Sequence, residues 1–479
     1  VIQVPAANKP ATQDASRFDP TVPSKRRATL GLFDATTLVA GSMIGGGIFL
    51  VSADIARLTH SAGWLLAVWL LAGLLTLTAA LSYGELAAMF PKAGGQYVYL
   101  REAFGPSAAF LFGWTQLLVI TTGTIAAVAV GFARFLGVLW PAITERSLVG
   151  IVLPHFGWLG VTPQRLVAMA LIVGLTWANG RGLQTGKLLQ NGFTVAKGVV
   201  LLAIVGVAIV ARPSVAGALH ESPFFGPLPV ATLGPAMVGA LFAADAWNAI
   251  TFTAGEVRDP QRNVPRSLIW GTGLVIALYL AVNVSYLAVL PLDRIAEAPS
   301  QRVASAMVGT AFGSGAAAFV AVGILISTFG CANGLTLAGA RVSYAMALDG
   351  LFFQSAGKVN RHGVPGVALW MQAIWASLLC LSGTYSQLLQ YVVFAVLLFY
   401  VLTLLGLFAL RRKRPHLKRP YRALGYPLIP VLYVLAATTI AGSLLIAKET
   451  RVQALAGLGC VLAGTPVYFW LSRLRAAGR

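Results

Sequence analysis

The chain reads as a succession of apolar runs, each about 20 residues or longer, the length that crosses a bilayer core, separated by short polar connections. Twelve runs are predicted as helices, near residues 31–56, 62–90, 105–140, 164–179, 187–211, 232–255, 267–290, 305–348, 364–383, 386–410, 427–447 and 452–472. The third and eighth are long enough to imply tilt or extension past the lipid. Two runs are interrupted at mid-depth. The first holds Gly41-Ser-Met-Ile-Gly-Gly-Gly-Ile-Phe49 and the sixth holds Phe242-Ala-Ala-Asp-Ala-Trp-Asn248. They lie five spans apart, so they cross in opposite directions, as in an inverted repeat relating spans 1–5 to spans 6–10. The units expected are a tail at 1–28, a five-helix repeat at 29–211, its inverted copy at 212–410, a basic loop at 411–426, and two further helices with a C-terminal tail at 427–479.

Composition agrees with this picture. Of the 479 residues, 57% are apolar and 10% charged, against about 25% charged in soluble domains. A string of soluble domains is thereby excluded. The net charge of +20 would suggest nucleic acid, but the basic residues fall in short clusters between apolar runs. That pattern suits membrane topology rather than a phosphate-tracking surface. With the N-terminus inside, 25 of the 35 Lys/Arg fall on the cytoplasmic side and nine opposite, Lys197 being left over. Twelve spans with both termini cytoplasmic satisfy this asymmetry. The first 28 residues are polar, include Lys25, Arg26 and Arg27, and lack the apolar core of a signal peptide, so they read as a disordered cytoplasmic tail.

Catalytic and cofactor chemistry finds no support. Cys331, Cys380 and Cys460 sit in apolar stretches without a CxxC motif, and His60, His155, His220, His362 and His416 fall in loops or at span ends. Neither a disulfide framework nor a metal site is expected. No HExxH, GxSxG or Walker motif occurs, and no repeated filter marks a channel. The sequon at Asn283 lies within span 7 and should be inert.

The interruptions themselves carry the chemistry. Gly45, Gly46 and Gly47 make continuous helix locally unfavourable, since each glycine costs about 1 kcal/mol relative to alanine. A break exposes amide N–H groups on one half-helix and carbonyls on the other, which together can hold both ends of an α-amino acid. The alternative is a close helix-packing face. Asp245 is either a pole for a substrate amine or transported proton, or a cap on the second half-helix. Phe242 and Trp247 are either a gate or lipid-facing aromatics. Lys197 lies ten residues after Lys187, about 15 Å along a helix, hence near the midplane. Asn191, Thr194 and Lys197 form one polar stripe that should face the interior. The ammonium can act as a fixed structural cation bridging a broken helix to a neighbour, or carry the coupling proton. Glu85 and Glu256, near the ends of spans 2 and 6, are expected to pair with arginines such as Arg258 or Arg101 and close an inner gate.

These residues resemble a known family. The GSMIGGGIF stretch looks like the GSxIGSGIF element of the amino acid–polyamine–organocation superfamily, and Tyr83 to Tyr99 is similar to its second-to-third-span signature. Phe242 to Asn248, with Glu256, Asp259 and Pro260, resembles the FAYxGWN…E…NP pattern of the L-type amino acid transporter branch, as do Thr194 to Lys197 and Arg419 to Pro427. The resemblance runs from about residue 28 to 472. It implies an all-α membrane protein with the leucine-transporter fold, helices 1 and 6 broken, and alternating access for amino acids. Main chain at Ile44, Gly45, Gly46 and Gly47 and at Phe242, Ala243, Ala244 and Asp245 would grip the substrate. Lys197 would replace sodium, with Ser327 or Thr328 as its eighth-span partner. Ile120 and Thr124 would line the side-chain pocket, and Phe242 would be a gate. Exchange of neutral amino acids in a bacterial inner membrane is favoured, with proton-coupled symport or cationic amino acid and polyamine antiport as alternatives. The family's usual tyrosine is Ala244 here, and a common serine is Gly46, which enlarges the pocket. No cysteine lies between spans 3 and 4, so no disulfide-linked heavy-chain partner is expected.

Overall fold

The computed structural model describes residues 30–91, 94–153, 157–182, 187–211, 224–382 and 384–477. The predicted tail lies outside these residues, as do Lys92, His155, Arg212 and His220. Among the described residues, nine helices are long and apolar enough to cross a membrane. Three shorter apolar helices, Ala231–Ala243, Val303–Phe312 and Gly366–Leu381, accompany them.

In chain order the first helix is α1 (Leu32–Met43), followed after a gap by α2 (Gly47–Leu50) and α3 (Ser52–Thr59). Next come α4 (Ala62–Met89), α5 (Gln96–Phe104), α6 (Pro106–Thr115) and α7 (Thr121–Leu139). Gln116–Ile120 between the last two is π-helical, an irregularity common at functional positions. A hairpin of β1 (Val149–Leu153) and β2 (Gly157–Val161) pairs antiparallel, with Val149 opposite Val161. Then follow α8 (Pro163–Gly180), α9 (Lys187–Val210), α10 (Val230–Ala243) and, after a second gap, α11 (Ala249–Phe252). The rest are α12 (Pro260–Val289), α13 (Leu292–Ala296), α14 (Val303–Phe312), α15 (Ser314–Leu348), α16 (Gly366–Ser382), α17 (Tyr385–Lys413), α18 (Leu428–Ile446) and α19 (Arg451–Ala477).

Several boundaries differ from expectation: α12 begins at Pro260 rather than 267, and α17 runs to Lys413, into the expected basic loop. The run at 305–348 is not a single helix. Gly313, at φ +85°, ends α14, and the long helix starts at Ser314. The apolar pattern continues across the joint, so hydropathy alone could not locate it.

The two broken helices lie in the interior. Ile44, Ile48, Phe49, Phe242 and Trp247 are all buried. Asn191, Thr194 and Lys197 of α9 all face α1. Asn191 accepts from Thr37 at 2.9 Å and donates to Asp34 at 3.0 Å, and a Cβ on Gly41 would strike the Thr194 hydroxyl. The absence of a side chain at Gly41 therefore sets how closely α9 approaches.

Candidate functional site

An α-helix leaves its last carbonyls without intrahelical donors. In α1 the Ala40 carbonyl accepts from the Ile44 amide at 2.9 Å, which leaves Gly41, Ser42 and Met43. Each meets a side chain from a different helix. Lys197 Nζ of α9 donates to the Gly41 oxygen at 2.7 Å, and the Tyr279 hydroxyl of α12 donates to the Met43 oxygen at 2.9 Å. Cys331 Sγ of α15 lies 3.9 Å from the Ser42 oxygen. Past the break, the amides of Gly45, Gly46, Gly47 and Ile48 have no backbone acceptor among the described residues.

Lys197 therefore binds the end of the first half-helix. The eighth-span hydroxyls play different parts from the one expected. Thr328 Oγ1 donates back to the Ile324 oxygen of its own helix at 2.9 Å, and Ser327 Oγ is buried without a partner among the described residues. Thr328 instead presents its methyl to the break: a Cβ on Gly46 would stand 3.3 Å from it, and one on Gly45 would stand 3.3 Å from Cys331 Sγ. The glycines thus do pack closely, as well as interrupting the helix.

The second break runs from Ala244 to Asn248. It contains no glycine, yet Ala246 adopts φ +62°, a left-handed conformation that alanine rarely takes. The two breaks touch: a Cβ on Gly47 would lie 2.7 Å from Ala243 Cβ. The Tyr279 hydroxyl, already on Met43, also stands 3.2 Å from the Ala243 oxygen, so one phenol sits between the two chain ends. Its helix grips the first broken span twice more, through Asn283, whose Oδ1 accepts from Ser52 at 2.6 Å, and through the Tyr286 hydroxyl, 3.3 Å from the Ile48 oxygen. Sequence reasoning missed Tyr279 because a tyrosine in an apolar span carries no distinctive signal. The recurrence of Tyr279, Asn283 and Tyr286 at helical spacing was the available clue.

A cavity opens on the second break. Its wall includes Asp245, Ala246 and Asn248 of that break, Ala249 at the start of α11, Ile120 and Thr124 at the π-helical joint, and Gln96 and Tyr400. Ile120 and Thr124 are one turn apart, with the Thr124 hydroxyl on the Ile120 carbonyl at 2.7 Å. Ile44, Gly45, Gly46, Gly47, Phe242 and Ala243 do not line this cavity, and Ala244 lines a second, smaller one. Asp245 is not the cap of the following helix: α11 is preceded by Asn248 and has no side-chain cap. Its Oδ1 accepts from the Tyr400 hydroxyl at 2.5 Å instead. Phe242 and Trp247 are buried, which removes the lipid-facing reading. Trp247 packs edge-on to Tyr83 at 4.8 Å and lies 5.4 Å from Tyr400.

Polar networks close the bundle at both ends. On one face Asp54 joins Arg57, Gln301 and Ser386, while Arg134 joins Gln301 and Glu145. On the other face Arg101 pairs with Asp349, and Glu256 lies 3.5 Å from Arg341. Glu85 departs from its expected partners. It is fully buried and is held by Arg411 at 2.5 Å, by Arg419 at 3.3 Å and by the Ala423 amide at 2.8 Å. Its partners come from the end of α17 and from the basic loop that follows, some 330 residues away in sequence, which the local charge pattern could not reveal.

The amino acid permease family model matches residues 30–474, nearly the whole described chain. The chain belongs to this family. The L-type-like resemblance read from the motifs holds, and the relatives are membrane transporters rather than enzymes. The chain is 31% identical to human b(0,+)-type amino acid transporter 1 over 429 residues, covering 88% of this chain and 83% of that protein. It is 28% identical to the serine/threonine exchanger SteT of Bacillus subtilis, covering 94% and 98%. It is 29% identical to human Asc-type amino acid transporter 1, covering 94% and 84%. Amino acid transport by a multi-pass membrane protein is what these relationships support.

Proposed function

We propose that the chain is a sodium-independent secondary transporter that exchanges neutral L-amino acids by alternating access. The observation that carries this reading is the meeting of two broken helices beside a cavity walled by Asp245, Ile120 and Thr124. Unpartnered amides at Gly45 to Ile48 suit a carboxylate, and main chain of the second break suits an ammonium group. Neither need depend on the substrate side chain. Lys197 supplies at the Gly41 carbonyl the positive charge that a sodium ion would otherwise bring.

The same reading takes the nine long spans with α8, the broken α10–α11 span and α16 as twelve crossings. They would form a 5+5 inverted repeat with the leucine-transporter fold, in a bacterial inner membrane with both termini cytoplasmic. Ile44, Gly45, Gly46, Gly47 and Phe242 to Asp245 then form the clasp. In the conformation described, the glycine break is packed against Thr328 and Cys331 while the cavity reaches only the second break. Substrate binding would therefore open the first break. Phe242, Glu85 and Glu256 are assigned to gating.

The test is uptake of labelled amino acid into proteoliposomes, with and without amino acid inside. Exchange requires the preloaded lumen and ignores sodium. Uptake that is indifferent to preloading but collapses with the pH gradient would identify proton symport instead. A second reading, transport of cationic amino acids or polyamines, draws on the Asp245 carboxylate in the cavity wall. Strong competition by arginine or putrescine would favour it.

A further inference from the structure

The end of α17 and the loop beyond it carry seven cations between Arg411 and Arg422. Three of them meet acids. Arg411 and Arg419 hold the buried Glu85, and Arg414 pairs with Glu102 at 2.6 Å. The Arg419 guanidinium is also the centre about which the loop winds. It donates to the Pro415 and Leu417 oxygens at 2.9 Å each and to the Arg414 oxygen at 3.0 Å. Arg411 and the Ala423 amide both bind Glu85, so the two ends of the loop are fastened to one carboxylate. The other four cations, Arg412, Lys413, Lys418 and Arg422, are exposed, and none has an acidic partner among the described residues. Depth follows from the flanking helices. Both α17 and α18 are long and apolar enough to cross a membrane, so the loop joining them lies at the level of the lipid headgroups. Beside it the surface turns apolar: Leu424 is 57% exposed, and Leu428 and Leu432, one turn apart on α18, are 63% and 52% exposed.

We propose that this loop is a binding site for an anionic phospholipid, its phosphodiester headgroup held by Arg412, Lys418 and Arg422 and its acyl chains lying along Leu428 and Leu432. The inference goes beyond the transporter reading and does not depend on which substrate moves. A surface that is cationic at the helix ends and apolar along the adjoining helix matches a molecule with a negative head and hydrocarbon tails. A free phosphate or an acidic peptide would use the charges alone. Basic residues next to a membrane-spanning helix attract anionic lipid over a distance of about one Debye length, and arginine adds a bidentate fit to phosphate oxygens. The loop is already held in shape by Glu85 and Arg419, so it loses less conformational freedom on binding than a loose basic tail would. Because Glu85 belongs to α4, a headgroup seated on the loop also steadies the contact between α4 and the end of α17.

The experiment uses the purified full chain in a neutral detergent at about 0.1 M salt, where charges still act over a Debye length of about 10 Å. Phosphatidylglycerol and phosphatidylcholine are supplied in equal amounts, and the lipid retained after gel filtration is measured by mass spectrometry. The native chain should retain phosphatidylglycerol over phosphatidylcholine by about fivefold or more. Arg412→Gln/Lys418→Gln/Arg422→Gln should lower that ratio at least about threefold. The control, Arg262→Gln/Arg266→Gln/Lys358→Gln, removes the same charge from other exposed positions and should leave the ratio nearly unchanged. Where the loop triple variant does not fold, as judged by thermal unfolding, Lys418→Gln/Arg422→Gln should lower the ratio in the same direction by a smaller factor. Equal retention of the two lipids by the native chain overturns the proposal. So does an equal loss in the loop variant and the control, which would reduce the preference to overall charge. A native preference abolished by excess inorganic phosphate would identify a site for free anions and overturn the lipid assignment as well.

Discussion

The two breaks solve the same problem in opposite ways. The first is built from three consecutive glycines and is densely held. All three loose carbonyls are met by side chains, and Thr328, Cys331 and Ala243 press on its glycines. The second has no glycine, adopts a left-handed turn at Ala246, and faces a cavity. The first resembles a hinge pinned from three helices. The second resembles a recognition surface kept open beside an acid. The comparison suggests that permissive backbone and open space need not coincide. In this conformation the glycines mark where the chain can move, and the strained alanine marks where it faces the cavity.

The sharpest way to break that contrast is to remove a pin. Lys197→Ala leaves the part-buried Gly41 carbonyl without its ammonium donor, and a hydrogen bond to a charged group contributes about 1.5–3 kcal/mol. Transport should fall by at least about tenfold and toward background, since 1.4 kcal/mol is a factor of ten. Initial rates in proteoliposomes at matched protein content check this, with sodium added in a parallel series. Native rates in that variant, with no ion dependence, would refute the role given to the lysine.

Pressing the breaks apart should have the next largest effect. Gly47→Ala places a methyl 2.7 Å from Ala243 Cβ, whereas Gly45→Ala comes no nearer than 3.3 Å, to Cys331 Sγ. Overpacking of this kind costs about 1–3 kcal/mol. Gly47→Ala should therefore lower both the unfolding temperature and the transport rate more than Gly45→Ala. Equal effects would mean that the two breaks are not in contact during transport.

Much of this arrangement was legible beforehand, for local reasons. Three glycines in mid-membrane and an acid five spans later are written in short stretches, and so is the α9 stripe that faces α1. What stayed hidden depends on long-range pairing. Glu85 announces that it needs a cation, but not that Arg411 at the end of α17 and Arg419 of the loop beyond it supply it. The joint at Gly313 is masked by unbroken hydrophobicity on both sides. Tyr279 has the composition of an ordinary core aromatic. Its importance appears only when two chain ends, far apart in sequence, arrive at the same hydroxyl.

That hydroxyl sharpens the comparison, because among the described residues it is the one donor common to both breaks. Tyr279→Phe keeps the ring, which packs edge-on to Trp69 at 5.5 Å, and deletes only the hydrogen bond. A neutral hydrogen bond contributes about 1 kcal/mol net, so transport should drop by roughly fivefold, less than for Lys197→Ala. A double variant with Gly47→Ala should be non-additive, because both changes act on the same contact. Strict additivity would place the tyrosine outside the coupling between the breaks.

The smallest expected effect tests the second break by relieving it. Ala246 is non-glycine at φ +62°, a conformation costing about 1–2 kcal/mol for a residue with a Cβ. Glycine removes that cost but adds conformational entropy to the unfolded chain, about 0.5–1 kcal/mol. The net change for Ala246→Gly should thus be a stabilisation of between about zero and about 1.5 kcal/mol, the difference of those two terms. A shift of no more than about 2 °C in the unfolding midpoint follows for a chain of this size. Transport is the more informative readout. If the alanine merely tolerates strain, activity stays near native while stability rises. If the strain holds the break against the cavity, the glycine variant should bind substrate more weakly despite its greater stability. Opposite signs in the two measurements would then distinguish an open recognition surface from a second, unneeded hinge.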